Sequence, residues 1–180
     1  MHYPLAAIFS FEPSSSCFKI LNDKYSLDKK ISLNPIGLGA RKEFQVLTEY
    51  NWSPLNSFLE RNYTEAEVIA QSEVEVETID HYCATHGIAK IDVLKTDTEG
   101  FDLEVLKGAS EMLKKGKIKF VLTEVFFNLN YIGQNSFGDL YNYLLDADFE
   151  LVRFYDFVYT PDGRASKTDA LFKYNPKTKP

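Results

Sequence analysis

The sequence predicts an α/β fold built on a mostly parallel sheet, with an antiparallel hairpin at one edge. Short apolar runs rich in β-branched and aromatic residues alternate with segments in which apolar residues recur every three or four positions. Strands that alternate with helices in this way are typical of parallel sheets covered by helices. The last two predicted strands are joined by the turn sequence TPDGRAS, which favours an antiparallel hairpin.

The first half of the chain contains four predicted strands and two predicted helices. The strand over Leu5–Phe11 has apolar residues on both faces, so we expect both faces to be covered. Ser14 is suited to cap a helix that runs to about Asn22. The other segments are a strand at 31–38, an antiparallel excursion at 42–50, a long irregular insertion at 51–71, a half-exposed strand at 72–80, and a short helix to about His86 capped by Thr78 or Asp80.

The second half begins with a strand over Ile91–Thr96, which leads through an acidic turn into a helix from about Asp102 to Lys115. The apolar residues of this helix form one stripe, made of Val105, Leu106, Ala109, Met112 and Leu113. The remaining segments are a strand at 117–127, a helix at 136–147, and the two hairpin strands at 149–159 and 167–174.

Length and composition indicate one soluble domain spanning residues 1–180. A chain of 180 residues with 44% hydrophobic content is long enough for one core of ordinary size. The net charge of -6, with Lys and Arg spread along the chain, makes a nucleic-acid backbone or an anionic membrane an improbable partner. Cys17 and Cys83 lie in predicted helices, so we expect no disulfide framework. The sequence has neither a run of about 20 apolar residues nor a signal peptide, so we expect a cytoplasmic protein.

Acidic residues lie at or near the ends of three of the predicted strands. Glu12 ends the first strand, Asp97 and Glu99 follow the strand at 91–96, and Glu124 ends the next strand. Ligands of open α/β sheets bind outside the carboxyl ends of the strands, so we expect these side chains to lie at one binding edge. Glu99 taken alone is explained equally well as a cap of the helix that follows it.

Two further observations near these strand ends concern buried side chains. Lys95 lies within a strand that we expect to be buried, where an ammonium group needs an acidic partner, and we expect it to pair with Glu124 or Glu99 as a structural residue. The aromatic side chains near the end of the next strand either line a ligand pocket or belong to the edge of the core; they are Phe126, Phe127 and Tyr131.

No metal site is predicted. Asp97, Glu99 and Glu124 could hold a divalent cation through hard oxygen ligands, but their spacing does not require one. The sequence HYCATH at 81–86 has two histidines and a cysteine that do not share a helix face, so we expect them to be structural.

Six short segments together carry a family resemblance. They are SFEP at 10–13, IGLG at 36–39, VEVETID at 74–80, IDVLKTDTEGFDLEVLKGA at 91–109, FVLTEV at 120–125 and DALFKY at 169–174. They resemble the FkbM-type family of S-adenosylmethionine-dependent methyltransferases, over nearly the whole chain. The resemblance implies a Rossmann-like methyltransferase fold, S-adenosylmethionine as the methyl donor, and a small-molecule or carbohydrate acceptor that is methylated on a hydroxyl.

The resemblance also implies roles for particular residues in binding the donor. The ribose would be held by Glu12, the adenine would be lined by Leu38 and Gly39, and the methionine end would lie beside Asp97, Glu99 and Gly100. An alcohol is a poor nucleophile at neutral pH, so a carboxylate within hydrogen-bond reach would help by removing its proton. Asp97 is the first candidate for this catalytic base and Glu124 is the second.

The sequence departs from the family pattern at its beginning. Methyltransferases of this fold carry a first strand and a glycine-rich turn before the ribose-binding acid, whereas this chain starts at the equivalent of the second strand. The missing strand would lie between the strand ending at Glu12 and the strand ending at Asp97. We expect either that these two strands pair directly or that the chain is a fragment of a longer protein. The alternative function is a non-catalytic remnant that serves as a binding or interaction module.

Overall fold

The computed structural model of the protein describes residues 5–62 and 65–176, which form an α/β fold. In chain order its elements are β1 (Ile8–Phe11), α1 (Ser15–Tyr25), β2 (Ile31–Asn34), β3 (Gly37–Leu38), β4 (Glu43–Tyr50), a 3-10 turn (Ser53–Leu55), β5 (Val68–Glu77), α2 (Ile79–Thr85), β6 (Ile91–Thr96), α3 (Asp102–Lys107), α4 (Ser110–Lys114), β7 (Ile118–Phe126), α5 (Phe137–Asp146), β8 (Phe149–Tyr159) and β9 (Ala165–Tyr174).

The strands form three small sheets. Their orders are β1-β2, β3-β5-β4 and β6-β7-β9-β8. Pairs β1–β2, β3–β5 and β6–β7 are parallel, whereas β4–β5, β7–β9 and β8–β9 are antiparallel. The predicted antiparallel hairpin at an edge is confirmed. The prediction of a mostly parallel sheet is wrong, because the β4–β5 ribbon and the insertion of β9 between β7 and β8 make the strand pairing mixed.

Strand β1 is shorter and more exposed than the sequence predicts. It begins at Ile8 instead of Leu5, and Ile8 and Phe9 are 49% and 39% exposed. The expectation that both faces are covered is wrong, because Ile8 and Phe9 point to opposite faces of the strand and both are exposed. Among the described residues β1 pairs only with β2. Strand β6 is likewise an edge strand, and the two strands do not pair with each other in the described part of the chain.

The predicted strand at 31–38 is two strands in different sheets. It is interrupted at Pro35, which has no N–H to donate to a strand partner, so β2 pairs with β1 and β3 pairs with β5. The predicted irregular insertion at 51–71 is also shorter, because β5 already begins at Val68.

The predicted helix from Asp102 to Lys115 is likewise two short helices, which meet at Gly108 and Ala109. A Cβ atom added at Gly108 would lie 2.0 Å from the carbonyl oxygen of Gly39, so the two segments touch backbone to backbone there. The predicted apolar stripe is nevertheless buried, with the exception of Met112, which is partly buried.

The main core lies between the third sheet and helices α2 to α5. Its central side chains are Val105, Leu106, Leu113, Ile118, Val121, Leu144, Phe149 and Phe172. Predicted caps are confirmed at two helices, since the hydroxyl of Ser14 accepts from the amide of Cys17 and that of Thr78 accepts from the amide of His81. Cys17 and Cys83 lie in α1 and α2 as free thiols. Within residues 5–62 and 65–176, no helix has the length and apolar character needed to cross a membrane.

Candidate active site

A cleft of about 770 Å³ lies where several strands end. Its lining includes residues of β1 and β6, together with the segment at 53–58. The cleft brings together five of the predicted site residues, which are Glu12, Leu38, Asp97, Glu99 and Glu124. The other two are outside its lining: Gly39 packs against Val76 and Phe101 in the interior, and Gly100 packs against Tyr131.

Glu12 directly follows β1 and is held by the turn that leads into α1. Its Oε1 atom accepts a hydrogen bond from the amide of Ser14 at 2.8 Å. Burial raises the pKa of Glu12, the Ser14 amide opposes this effect, and the negative charge of Glu49 adds to it. The first predicted site residue is therefore a partly desolvated carboxylate with one oxygen fixed by the backbone.

Lys95 and Asp97 form an exposed ion pair at the end of β6. The Nζ atom of Lys95 lies 2.7 Å from Oδ2 of Asp97, and the two side chains are 49% and 48% exposed. The expectation that Lys95 is buried and pairs with Glu124 or Glu99 is wrong, because β6 is an edge strand and its lysine reaches solvent. Asp97 therefore enters the cleft as a solvated carboxylate.

Glu99 has a left-handed backbone conformation, with φ of 50°, which is uncommon for a residue other than glycine. Its carbonyl oxygen accepts a hydrogen bond from the hydroxyl of Ser57 at 2.8 Å, and its Oε2 atom accepts one from Tyr131 at 2.7 Å. Burial raises the pKa of Tyr131, and the charge of Glu99 raises it further, so the phenol remains a donor. The alternative that Glu99 caps the next helix is wrong, because α3 begins at Asp102 and Phe101 is its N-cap residue. A strained residue held by several partners is typical of functional sites.

Glu124 is the buried member of the cluster, at 7% exposure. Its Oε1 atom lies 2.7 Å from Nζ of Lys167, whereas its Oε2 atom is buried without a hydrogen-bond partner among the described residues. The two side chains are diagonal neighbours on one sheet face, because Lys167 pairs with Phe126 two residues after Glu124. Burial raises the pKa of Glu124 to about 7, although Lys167 lowers it, and the charge of Glu99 adds to the rise.

The three acids lie close enough to share one ligand. One carboxylate oxygen from each of Asp97, Glu99 and Glu124 lies within 4.8 Å of the others, a spacing that could hold a metal ion. Lys167 already supplies a positive charge to two of them, at 2.7 Å from Glu124 and 3.5 Å from Glu99. The arrangement can therefore bind a cationic group, accept hydrogen bonds from hydroxyls, or take up a proton.

Sequence reasoning missed several residues of this site. Lys167 on β9, Tyr131 after β7 and Ser57 in the 53–58 segment all hold members of the acidic cluster. Asp102 was predicted as an acid at the start of a helix and not as a site residue, yet it is buried near Thr96 and Thr98, and burial raises its pKa to about 6. The one sequence signal for Lys167 was its place in the predicted hairpin. The register in which that hairpin pairs with β7 determines that Lys167 lies beside Glu124.

The remaining sequence candidates lie elsewhere. His81 interacts with Glu77, whereas the ring of His86 stacks on that of Tyr82. Phe126 and Tyr131 are buried and contact each other edge to face, which favours their interpretation as the edge of the core. Phe127 is partly exposed and stacks on Phe157.

Comparisons with known proteins agree with the sequence resemblance. Residues 3–151 match the family described as the methyltransferase FkbM domain. The methyltransferase sdnD of Sordaria araneosa is 28% identical over 138 residues, a match that covers 61% of this chain and 53% of the relative. The chain thus spans about half the length of this curated relative.

A solved structure shares the fold. The crystal structure of methyltransferase FkbM from Methylobacillus flagellatus KT superimposes with a TM-score of 0.54 at 17% identity. The match covers 93% of this chain and 36% of that one. Because the family match extends over well more than half of the sequence, the chain belongs to the FkbM methyltransferase domain family.

Proposed function

We propose that this chain is an S-adenosylmethionine-dependent O-methyltransferase domain whose cleft binds the donor and an acceptor hydroxyl. One observation carries the proposal: Glu12 and the cluster of Asp97, Glu99 and Glu124 line a single cleft at the ends of strands. This is the part of an open α/β fold where ligands bind. Membership of the family supports methyl transfer as the reaction.

The volume and the lining of the cleft suit S-adenosylmethionine as the donor. Its volume of about 770 Å³ is in the range of pockets that bury drug-sized ligands. Glu12, with one oxygen held by the Ser14 amide, would accept hydrogen bonds from the ribose hydroxyls, and Leu38 would lie against the adenine. Asp97 and Glu99 would hold the methionine end, near Gly100. The bound donor supplies a methyl group activated by its positively charged sulfur.

The acidic cluster would orient the acceptor and remove its proton. Most of the rate of a displacement reaction can come from holding the reacting atoms close and aligned. Asp97 and Glu124 are the two candidate bases, and the pKa of Glu124, about 7, is near the value that suits a base at neutral pH. Lys167 keeps Glu124 oriented. We propose a hydroxyl of a sugar or a secondary metabolite as the acceptor, in line with the family resemblance.

A second candidate function is a non-catalytic binding or interaction module with the same fold. It is favoured by the edges of β1 and β6 that pair with no strand in the described part of the chain, and by the exposed apolar side chains of Ile8, Phe9 and Val93 on these strands. Strand edges of this kind can pair with an added extended segment.

Titration calorimetry of the 180-residue chain with S-adenosylhomocysteine tests the proposed function. We expect micromolar binding that Glu12→Ala weakens about ten- to hundredfold, because hydrogen bonds to charged groups stabilise by roughly 1.5–3 kcal/mol. Asp97→Ala should also weaken binding. Asp92→Ala is the matched control for Asp97→Ala. Asp92 is an exposed acid on β6, the strand that Asp97 follows, but it is outside the cleft lining. A folded wild-type chain that does not bind would favour the second candidate.

A further inference from the structure

Glu49 is a buried carboxylate that the proposed function does not use. It lies near the end of β4 and is 7% exposed. Its Oε1 atom accepts hydrogen bonds from the hydroxyl of Ser14 at 2.5 Å and from that of Ser16 at 3.3 Å. The side chain does not line the cleft, so it can act on a ligand only indirectly, through these serines or through its charge on Glu12.

Ser14 connects two carboxylates. It is fully buried, its amide donates to Oε1 of Glu12 at 2.8 Å, and its hydroxyl donates to Glu49. The same hydroxyl oxygen accepts from the amide of Cys17, as the cap of α1. Ser14 thus links Oε1 of Glu12, through its amide, to the Glu49 carboxylate, through its hydroxyl.

Glu49 also supplies a charge that α1 lacks. The first turn of this helix contains no acidic residue, although a negative charge is favourable at a helix N-terminus. Glu49, which is 35 positions after Ser14, provides that charge. It lies on β4, which belongs to a different sheet from the β1 strand that precedes α1. A carboxylate used only to support the helix would leave the alignment of the Glu12 carboxylate, and hence its preference among ligands, unaffected when it is removed.

We propose that Glu49 is a positioning residue, which through Ser14 fixes the Glu12 carboxylate for binding the two ribose hydroxyls of a nucleoside ligand. The inference rests on the proposed role of Glu12 in donor binding. A carboxylate that holds a vicinal diol must keep one orientation, and supporting hydrogen bonds provide it. The negative charge of Glu49 also acts on Glu12 directly, where it adds to the effect of burial and raises the pKa.

The first test is the titration of the Glu12 carboxyl carbon, followed by NMR in the free protein. Glu49→Gln keeps an acceptor for the Ser14 hydroxyl but removes the charge, so we expect the pKa of Glu12 to fall. Glu77→Gln is the matched control, because Glu77 is equally buried on the neighbouring strand but contacts Lys42 and His81. Amide spectra of each variant verify that the fold is retained. An unchanged Glu12 titration in Glu49→Gln overturns the inference.

The second test compares two ligands, S-adenosylhomocysteine and its 2′-deoxy analogue, by calorimetry. In the wild type we expect the ribose form to bind more tightly. In Glu49→Ala, which removes the acceptor of the Ser14 hydroxyl, and in Ser14→Ala we expect this preference to shrink about threefold or more, because the hydrogen bonds to Glu12 are misaligned. Equal weakening for both ligands would mean a merely structural role and would overturn the inference. If the wild type binds neither ligand, the proposed function fails, and the Glu12 titration still decides whether Glu49 acts on Glu12.

Discussion

Asp102 and Glu124 are buried carboxyl groups that ionise less readily than exposed acids. Burial is the main cause at both residues, and it raises the pKa of Asp102 to about 6 and that of Glu124 to about 7. The neighbouring Thr96 and Thr98 lower the first value and Lys167 lowers the second, but neither effect outweighs burial. Both groups therefore hold a proton more tightly in the folded chain than in the unfolded chain.

These raised pKa values predict a pH dependence of stability. A group of this kind stabilises the fold fully below its unfolded pKa, and this contribution is lost as the pH rises through its folded pKa. We expect the free energy of unfolding to decrease between about pH 4 and pH 7, by at most about 3 kcal/mol for each group. Urea denaturation at pH 5 and pH 8 measures the difference, and Asp102→Asn or Glu124→Gln should each reduce it.

An exposed acid on β6 provides the control for this experiment. Asp92→Asn should retain the wild-type dependence on pH, because the exposed side chain of Asp92 stays in contact with water. Glu12, whose pKa is also raised by burial, acts in the same direction as the two buried acids. A wild-type chain that is equally stable, or more stable, at pH 8 would contradict the assignment of raised pKa values.

The acids of the site could be predicted from the sequence, whereas the residues that hold them could not. Glu12 and Asp97 directly follow predicted strands, Glu124 lies near the end of another, and the carboxyl ends of parallel strands meet at one edge. The residues that fix the cluster come from distant segments: Tyr131 is 32 positions from Glu99, and Ser57 is 42 positions from it. Their contacts depend on loop paths and strand register, which no local pattern contains.

At the scale of elements, helical periodicity identified a buried face but not the break within it. The apolar stripe from Val105 to Leu113 has one helical period, so the sequence indicates one helix. At the break, Gly108 lies against the carbonyl oxygen of Gly39, about 70 positions away along the chain, and its own carbonyl oxygen accepts a hydrogen bond from the amide of Asp80. The strand at 31–38 differs in this respect, because Pro35 was a local signal of its interruption.

The close backbone contact at Gly108 predicts a large effect of a single methyl group. Gly108→Ala would place a Cβ atom 2.0 Å from the oxygen of Gly39, so the α3–α4 junction or the β3 segment has to move. We expect a loss of about 2–4 kcal/mol in the free energy of unfolding, in the range of overpacked cores. Chemical denaturation measures this loss.

Gly138 is the matched control, because it lies in the first turn of α5 and a Cβ atom there would meet only Ser136 Oγ, at an ordinary distance of 3.5 Å. Gly138→Ala should leave stability unchanged or raise it by up to about 1 kcal/mol, since alanine favours a helix over glycine. Equal effects of the two substitutions would show that the contact between Gly108 and Gly39 is not close in solution.

At the scale of the whole molecule, the β1–β2 sheet is attached to the rest by a few side-chain contacts. The hydroxyl of Tyr82 donates to Asn34 at 3.0 Å, and the Tyr82 ring lies edge to face on Phe11 at 4.7 Å. On the other side, Ser14 donates to Glu49. By contrast, β7 is paired along both edges, with β6 and β9, and most of it is buried.

This difference predicts that the β1–β2 unit opens more readily than the rest of the molecule. Segments with few buried contacts open at a lower free energy, so we expect the backbone amides of β1 and β2 to exchange with deuterium much faster than those of β7.

A ligand that contacts both Glu12 and Asp97 would bridge the cleft, and S-adenosylhomocysteine should therefore slow exchange in β1 and β2 more than in the β8–β9 hairpin. Exchange followed by mass spectrometry measures both effects, and Glu12→Ala should remove the protection by the ligand. If β1 and β7 exchanged at the same rate in the free chain, the β1–β2 unit would be an integral part of one cooperative fold, and the cleft would be rigid before the ligand binds.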